Sequence, residues 1–519
     1  MKKILSALLL LLAVYLSQAQ TKVFKEISDE ISSQVKAIRQ DNVLVGYVVF
    51  TQLEKASADS FNYKLTIMDE NLNDIGNISF RDQQLSLKTV SFEQDVLALG
   101  YIKNTVSRSE SKNKRGRTIT TTSNQASVFV QFVSLQGKIL NTSNFNVQLS
   151  RDSYYTRYGI IYSPWYLKHS IQLSNIPQKG FACFYGEDQK SYLLFFNPSG
   201  NIGWKKTLEN AEAYTILASK QDVYVLLKKN EKMVEGGYEL IGYNVNDSSL
   251  YPKHILKDKQ GNSLKALSFE NDPVTGKPYI SGYIINPSKG NKFLRVKHFG
   301  RGPYSGVFTI NIKGDKLADI QSNYAYWADG SQSFMNTKGH FTENNTFPRF
   351  ETSFKDYQGN TFFVGSALTR KPRWGMIIPG VITMPLVIPP IYFFGGGGSV
   401  NGKTTQAVVL KQNPKGAISV EQFIPANTIR IKNGLHPITD YDTRDYYLAT
   451  NSDTKTEYII IDDAKDISIY NVNQKKVART IPHKDGKVYT YVFPAKEGHI
   501  MISEYNKKER YTRVSIEAL

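Results

Sequence analysis

Two acidic stretches are the first places to look for chemistry: TDYDTRD, with Asp440, Asp442 and Asp445, and IDDAKD, with Asp462, Asp463 and Asp466. Clustered carboxylates suit calcium, but the twelve-residue loop with a central glycine and a final glutamate is absent from both. Either stretch could hold carboxylates of a glycosidase pair, since such groups meet only in the fold, but nothing in the sequence selects the pair. Ordinary turn acids account for both. The seven histidines (His169, His254, His298, His340, His436, His483 and His499) are scattered. They form no H-E-x-x-H motif and no pair at helical spacing, so no metal site is expected. A G-x-S-x-G elbow, a Walker loop and a dinucleotide fingerprint are all missing, and the GGGGS starting at Gly395 lacks the Lys-Ser/Thr helix start that binds phosphate. Cys183, the only cysteine, stands between Phe181 and Phe184 two positions apart and one, and reads as a small buried hydrophobe. No catalytic residue, metal or cofactor is therefore expected.

Binding chemistry has two better candidates. The first is SRSESKNKRGR from Ser107 to Arg117, where Lys112, Lys114, Arg115 and Arg117 form the densest basic cluster. Lying between VLALGYI and ASVFVQFV, it reads as a long hairpin loop able to grip polyanions. It holds no aromatic residue on which a base could stack, which argues against nucleic acid. The second is the uncharged, mostly apolar run GMIIPGVITMPLVIPPIYFFGGGG from Gly375 to Gly398. As a spanning helix its dozen or so apolar side chains would contribute roughly 5 kcal/mol in a bilayer, against Pro379, Pro385, Pro389 and Pro390 at about 3 kcal/mol each in a soluble helix. The prolines instead cut it into extended pieces. These either pack over the fold or project as a docking loop through Trp374, Ile382, Leu386 and Phe393, with Arg370, Lys371, Arg373 and Lys403 suited to an anionic headgroup layer.

The compartment follows from the amino terminus. Lys2 and Lys3 precede an apolar stretch from Ile4 to Leu16, and Ser17 and Ala19 occupy small-x-small positions, so residues 1–19 read as a secretory signal with Gln20 as the mature start. The chain of 519 residues carries a formal charge of +18; the signal holds two lysines and no acid, leaving +16 on the remainder. Such a charge favours anionic partners: acidic polysaccharide, lipopolysaccharide or a membrane surface, with a protein partner the other option. The expected location is periplasmic, outer-membrane-associated or secreted, without a transmembrane helix.

The elements that must position these segments are strands. One helix is expected, in residues 20–42, where Phe24, Ile27, Ile31, Val35 and Ile38 recur at three- and four-residue steps. From Val43 onward, short runs rich in Val, Ile, Tyr and Phe end in Gly, Asn, Asp or Pro. Turns near Gly76, Gly137, Gly200, Asn246, Gly314, Gly416 and Asn473 recur at roughly sixty-residue steps, the size of a four-stranded propeller blade with generous loops, and 375–402 reads as an insertion in one blade. DYQGNTFFVG (Asp356 to Gly365) and DPVTGKPYISG (Asp272 to Gly282) resemble a D-x-x-G-N-x-Y-V-x-G hairpin. On these motifs, the spacing and the export signal, the chain resembles uncharacterised secreted β-propeller-like proteins of Bacteroidota, a resemblance that implies architecture and compartment but no activity.

The expected fold is all-β: a single propeller of seven or eight four-stranded blades over 43–519 after a short N-terminal helix, with two β-sandwich domains as the alternative. The expected function is an exported binding or scaffold protein of the cell envelope that meets an anionic or hydrophobic partner. The alternative is a carbohydrate-active hydrolase or lyase with an axial pocket.

Overall fold

In the computed structural model, the described residues are 20–519 apart from 26–31, 41–42, 58–59, 105–107, 114–115, 122–124, 149–154, 157–158, 161–170, 187–189, 210, 221, 230–237, 286–303, 313–319, 330–332, 373–399, 428, 432–444, 452 and 464. They form an eight-bladed β-propeller of antiparallel four-stranded sheets. The first strands of blades 1 to 8 are Ser32–Gln40, Leu85–Glu93, Ile171–Ile176, Ala211–Ser219, Leu264–Asn271, Phe347–Lys355, Asp445–Asn451 and Val488–Pro494. Their uneven starts show that blade length varies widely around the expected repeat, chiefly because the connections differ in length.

The core explains why the ring closes. Apolar side chains collect between consecutive sheets: Phe50, Tyr63 and Tyr101 join blades 1 and 2, Cys183 and Phe132 join 2 and 3, and Tyr283 and Phe363 join 5 and 6. Equivalent clusters fill the other gaps, and the last, with Tyr47, Met501 and Ile516, packs blade 8 on blade 1. Each blade is covered on both faces, so its strands read as nearly continuous apolar runs. Cys183 is fully buried, and that burial pushes its thiol up to about 12, in keeping with a small core side chain.

The amino-terminal expectation needs correcting. Among the described residues of 20–42 there is no helix: Gln20–Lys25 and Ser32–Gln40 are both strands, and Ile27 and Ile31 lie outside the described residues. Val35 and Ala37 pack toward blade 8 while Ile38 is buried toward blade 2. An innermost strand with two covered faces places apolar residues on both sides, so the plain two-residue alternation is lost. That pattern imitates helical periodicity. The amino-terminal segment also closes the ring. The last strand, Tyr511–Ala518, pairs with Gln20–Lys25 from Gln20 opposite Ile516 to Lys25 opposite Tyr511, so the amino terminus supplies the outer strand of blade 8. The segment Val43 to Phe50 meets blade 8 face to face and pairs elsewhere.

Both hairpin motifs are built as their residues demand. In the first, Asp356 Oδ1 accepts the N–H groups of Gln358 (2.9 Å) and Asn360 (2.7 Å), while Gly359 takes a φ of +79°. The closing Gly365 faces a bulge in the first strand, where an added Cβ would lie 2.0 Å from the carbonyl oxygen of Arg349. In the second motif one extra residue widens the turn, so Asp272 N–H reaches Lys277 O at 2.8 Å.

Candidate partner-binding face

Antiparallel four-stranded blades put two kinds of connection on opposite faces of the ring. First-to-second and third-to-fourth turns share one face, and here they are short and tied blade to blade. Glu93 accepts Asn175 Nδ2 (3.1 Å) and the Gln178 N–H (2.9 Å), joining blades 2 and 3. Trp204 Nε1 donates to Val245 O at 2.8 Å across blades 3 and 4, and Lys355 Nζ meets Asp272 at 2.7 Å across 6 and 5. The other face receives the second-to-third connections and the links between blades, and the long ones all leave from there.

The strands that flank both binding candidates end at that second face. In blade 2, Val96–Asn104 and Gln125–Ser134 are the second and third strands, and between them Arg108–Asn113 pairs with Gly116–Thr121, setting Lys112 opposite Arg117. Lys114 and Arg115 lie outside the described residues. In blade 6, Thr361–Pro372 and Val400–Gln412 pair out to Pro372 opposite Val400, so residues 400–402 belong to a strand and the apolar run leaves from its end. Ile429–Ile431 pairs alongside from Thr404 to Gly402, giving the base a third strand. Trp374, Ile382, Leu386 and Phe393 lie outside the described residues. Blades 2 and 6 are four steps apart in a ring of eight, so the two segments leave one face from opposite sides of the axis.

The acidic stretches meet in part. Asp445 pairs opposite Asp462 at the same face, and His483 Nε2 lies 2.5 Å from Asp462 Oδ1. His483 Nδ1 is 2.9 Å from Thr490 O, a group that can only accept, so Nδ1 donates to it. Burial pushes the Asp462 carboxyl up, and His483 opposes that shift. Asp463 accepts the Asn427 N–H at 2.5 Å, and Asp466 opens a strand. Asp462 and Asp463 thus tie blade 7 to the connections on either side of it; Asp440 and Asp442 lie outside the described residues. Among the described residues no group of three or more His, Cys, Asp or Glu could hold a metal ion.

Sequence reasoning missed the axis. Arg39 of blade 1 and Glu270 of blade 5 come from diametrically opposed first strands, both near the tight-turn face. Desolvation pushes the Glu270 carboxyl up, opposed by the Tyr279 hydroxyl at 3.2 Å and by Arg39. Both side chains reach solvent, yet desolvation lowers the Arg39 guanidinium and raises the Glu270 carboxyl. No sequence signal marks this pair, because only ring closure brings the two together. Glu457, 4% exposed, has its carboxyl raised to about 7 by burial and by Asp356 in the neighbouring turn.

No helix among the described residues is long and apolar enough to cross a membrane. A family model described as "Family of unknown function (DUF6770)" matches residues 1–114. None of the curated proteins matches the sequence. Among solved structures, apo AztD from Citrobacter koseri is similar at 8% identity and a TM-score of 0.40, over 91% of this chain and 96% of that one. The WD40 domain of SCAP from fission yeast is similar at 7% identity and a TM-score of 0.35, over 94% and 98%. The β-propeller domain of the Trilobed protease from Pyrococcus furiosus gives 7%, 0.33, 82% and 92%. The eight-bladed ring rests on the strand pairing and the inter-blade cores, and its first 114 residues match a family whose function is unknown.

Proposed function

We propose that the protein is an exported binding module that docks on an anionic envelope surface through the face carrying the long connections. One observation carries the reading: the strand ends that launch the basic hairpin and the apolar run share a face and flank the axis from opposite sides. Two contact points so disposed suit an extended planar partner better than a small ligand. The basic hairpin supplies long-range attraction to anionic groups, and the apolar run supplies a contact that salt does not screen. The rigidity of the ring supports the reading: side-chain bonds on the opposite face tie blade 2 to 3, 3 to 4 and 5 to 6.

The test is co-sedimentation with lipopolysaccharide-containing vesicles across a salt titration. Wild type is compared with a chain in which 375–402 is a Gly/Ser linker, and with Lys112→Glu/Lys114→Glu/Arg115→Glu/Arg117→Glu. The linker variant should release at lower salt than wild type, and the charge-reversed variant should bind poorly even at low salt. Equal binding by all three would refute the reading.

A further inference from the structure

A cavity of about 470 Å3 opens between blades 5 and 6 on the tight-turn face, away from the proposed docking segments. Its floor is an ion pair, Lys355 Nζ to Asp272 Oδ2 at 2.7 Å, with the two side chains only 6% and 11% exposed. The same ammonium contacts Asn311 Oδ1 and lies 4.7 Å from the centre of the Tyr279 ring. The wall is hydroxyl and amide: Thr309 Oγ1 donates to Gln412 Oε1 at 2.7 Å and lies 3.1 Å from the Thr361 hydroxyl.

Four further amide side chains line the cavity with hydrogen-bonding capacity left over. Asn311 has its oxygen committed to Lys355, which leaves its NH2 group as a donor. Asn323 Nδ2 donates to Pro414 O at 3.1 Å, leaving its oxygen as an acceptor. Asn413 Oδ1 accepts the N–H groups of Lys415 and Ala417 at 3.0 Å each, leaving its NH2 group. Gln321 is exposed and offers both.

We propose that this cavity binds a neutral saccharide unit. A sugar hydroxyl donates and accepts at one atom, which matches a rim of mixed amide donors and acceptors. Lys355 and Asp272 neutralise one another, so the floor favours neither an anion nor a cation, and Lys277 at the rim adds a charge that salt screens. The volume lies in the range of small-molecule sites, and the lining is fixed before binding by bonds between two blades. This site is independent of the docking face, and a chain lacking 375–402 should keep it.

Saturation-transfer NMR on the full-length protein, with N-acetylglucosamine, maltose and galacturonate as probes, tests the idea. At least one neutral sugar should bind with a dissociation constant below roughly 10 mM, and Gln321→Ala/Asn323→Ala should weaken it about 10-fold with an unchanged melting temperature. Thr275→Trp, which fills the mouth, should abolish the signal and serves if the double variant proves unstable. Absence of neutral-sugar binding, binding of galacturonate alone, or binding indifferent to these variants would overturn the proposal.

Discussion

Replacing Lys355 with methionine tests whether blades 5 and 6 are held by the charge pair under the cavity. Lys355 and Asp272 are nearly inaccessible and 2.7 Å apart, and methionine keeps most of the side-chain volume. Burial alone would push the Asp272 carboxyl up. Its bond from Lys355, with those from the Thr275 and Val274 N–H groups, outweighs that and holds it below the usual range. Removing the ammonium leaves a buried carboxylate without its counter-charge, which costs about 3 to 5 kcal/mol. The sign with pH follows. In the wild type a depressed carboxyl contributes stability above its unfolded value, near 3.9, and loses it as pH falls through the lower folded value. In Lys355→Met desolvation dominates and raises that carboxyl, so the variant weakens as pH rises above about 4. The deficit should be widest at pH 7 and shrink toward pH 4 in urea unfolding. Lys355→Met/Asp272→Asn should recover most of it, since an asparagine oxygen can still accept both N–H groups. A deficit under about 1 kcal/mol at pH 7, or a double variant as unstable as the single one, would refute the reasoning.

Glu457 works in the opposite sense: a carboxyl raised to about 7 favours the protonated folded state, so stability is present below about pH 4.5 and declines as pH rises through 7. Glu457→Gln should therefore gain about 1 to 2 kcal/mol at pH 8 and nothing at pH 4, as read by urea midpoints; equal gains at both would contradict the assignment. Gly365→Ala should cost about 2 to 4 kcal/mol because its Cβ would meet the Arg349 carbonyl at 2.0 Å, and a neutral result in the same assay would mean that the bulge is not where it stands. Deleting Gln20–Lys25 removes the closing strand and exposes the edge of Tyr511–Ala518; the melting temperature should fall by at least about 5 °C, and an unchanged melt would show that closure needs no amino-terminal strand. Export predicts Gln20 as the first residue of the protein recovered from the envelope fraction, read by intact-mass spectrometry; a chain beginning at Met1 there would contradict it.

The turns were the legible part of the fold, for a physical reason. An Asp or Asn followed three residues later by Gly fixes a turn through its own side chain, as at Asn197 with Gly200 and Asn413 with Gly416, and these mark third-to-fourth connections. Near Gly76 the turn lies a few residues earlier, where Leu72 takes the positive φ, and Gly76 itself is in a strand; Gly314 lies outside the described residues. The amino-terminal strand was misread because a doubly covered strand loses the alternation that identifies strands. The cavity and the axial pair were invisible because Asp272 and Lys355, far apart in sequence, meet only when the ring forms, and Arg39 and Glu270 come within electrostatic reach only then. Conversely, the basic and apolar segments were plain in composition, yet only the blade pairing gives their strand ends a common face.

Hydrogen exchange of the protein bound to lipopolysaccharide-containing vesicles tests the docking face most directly. The account predicts slowed exchange in peptides covering 100–128 and 368–404, at the ends of the second and third strands of blades 2 and 6, with no change at the Asp356 to Asn360 turn on the opposite face. Protection at the tight turns, or none at either pair of strand ends in a bound sample, would contradict it.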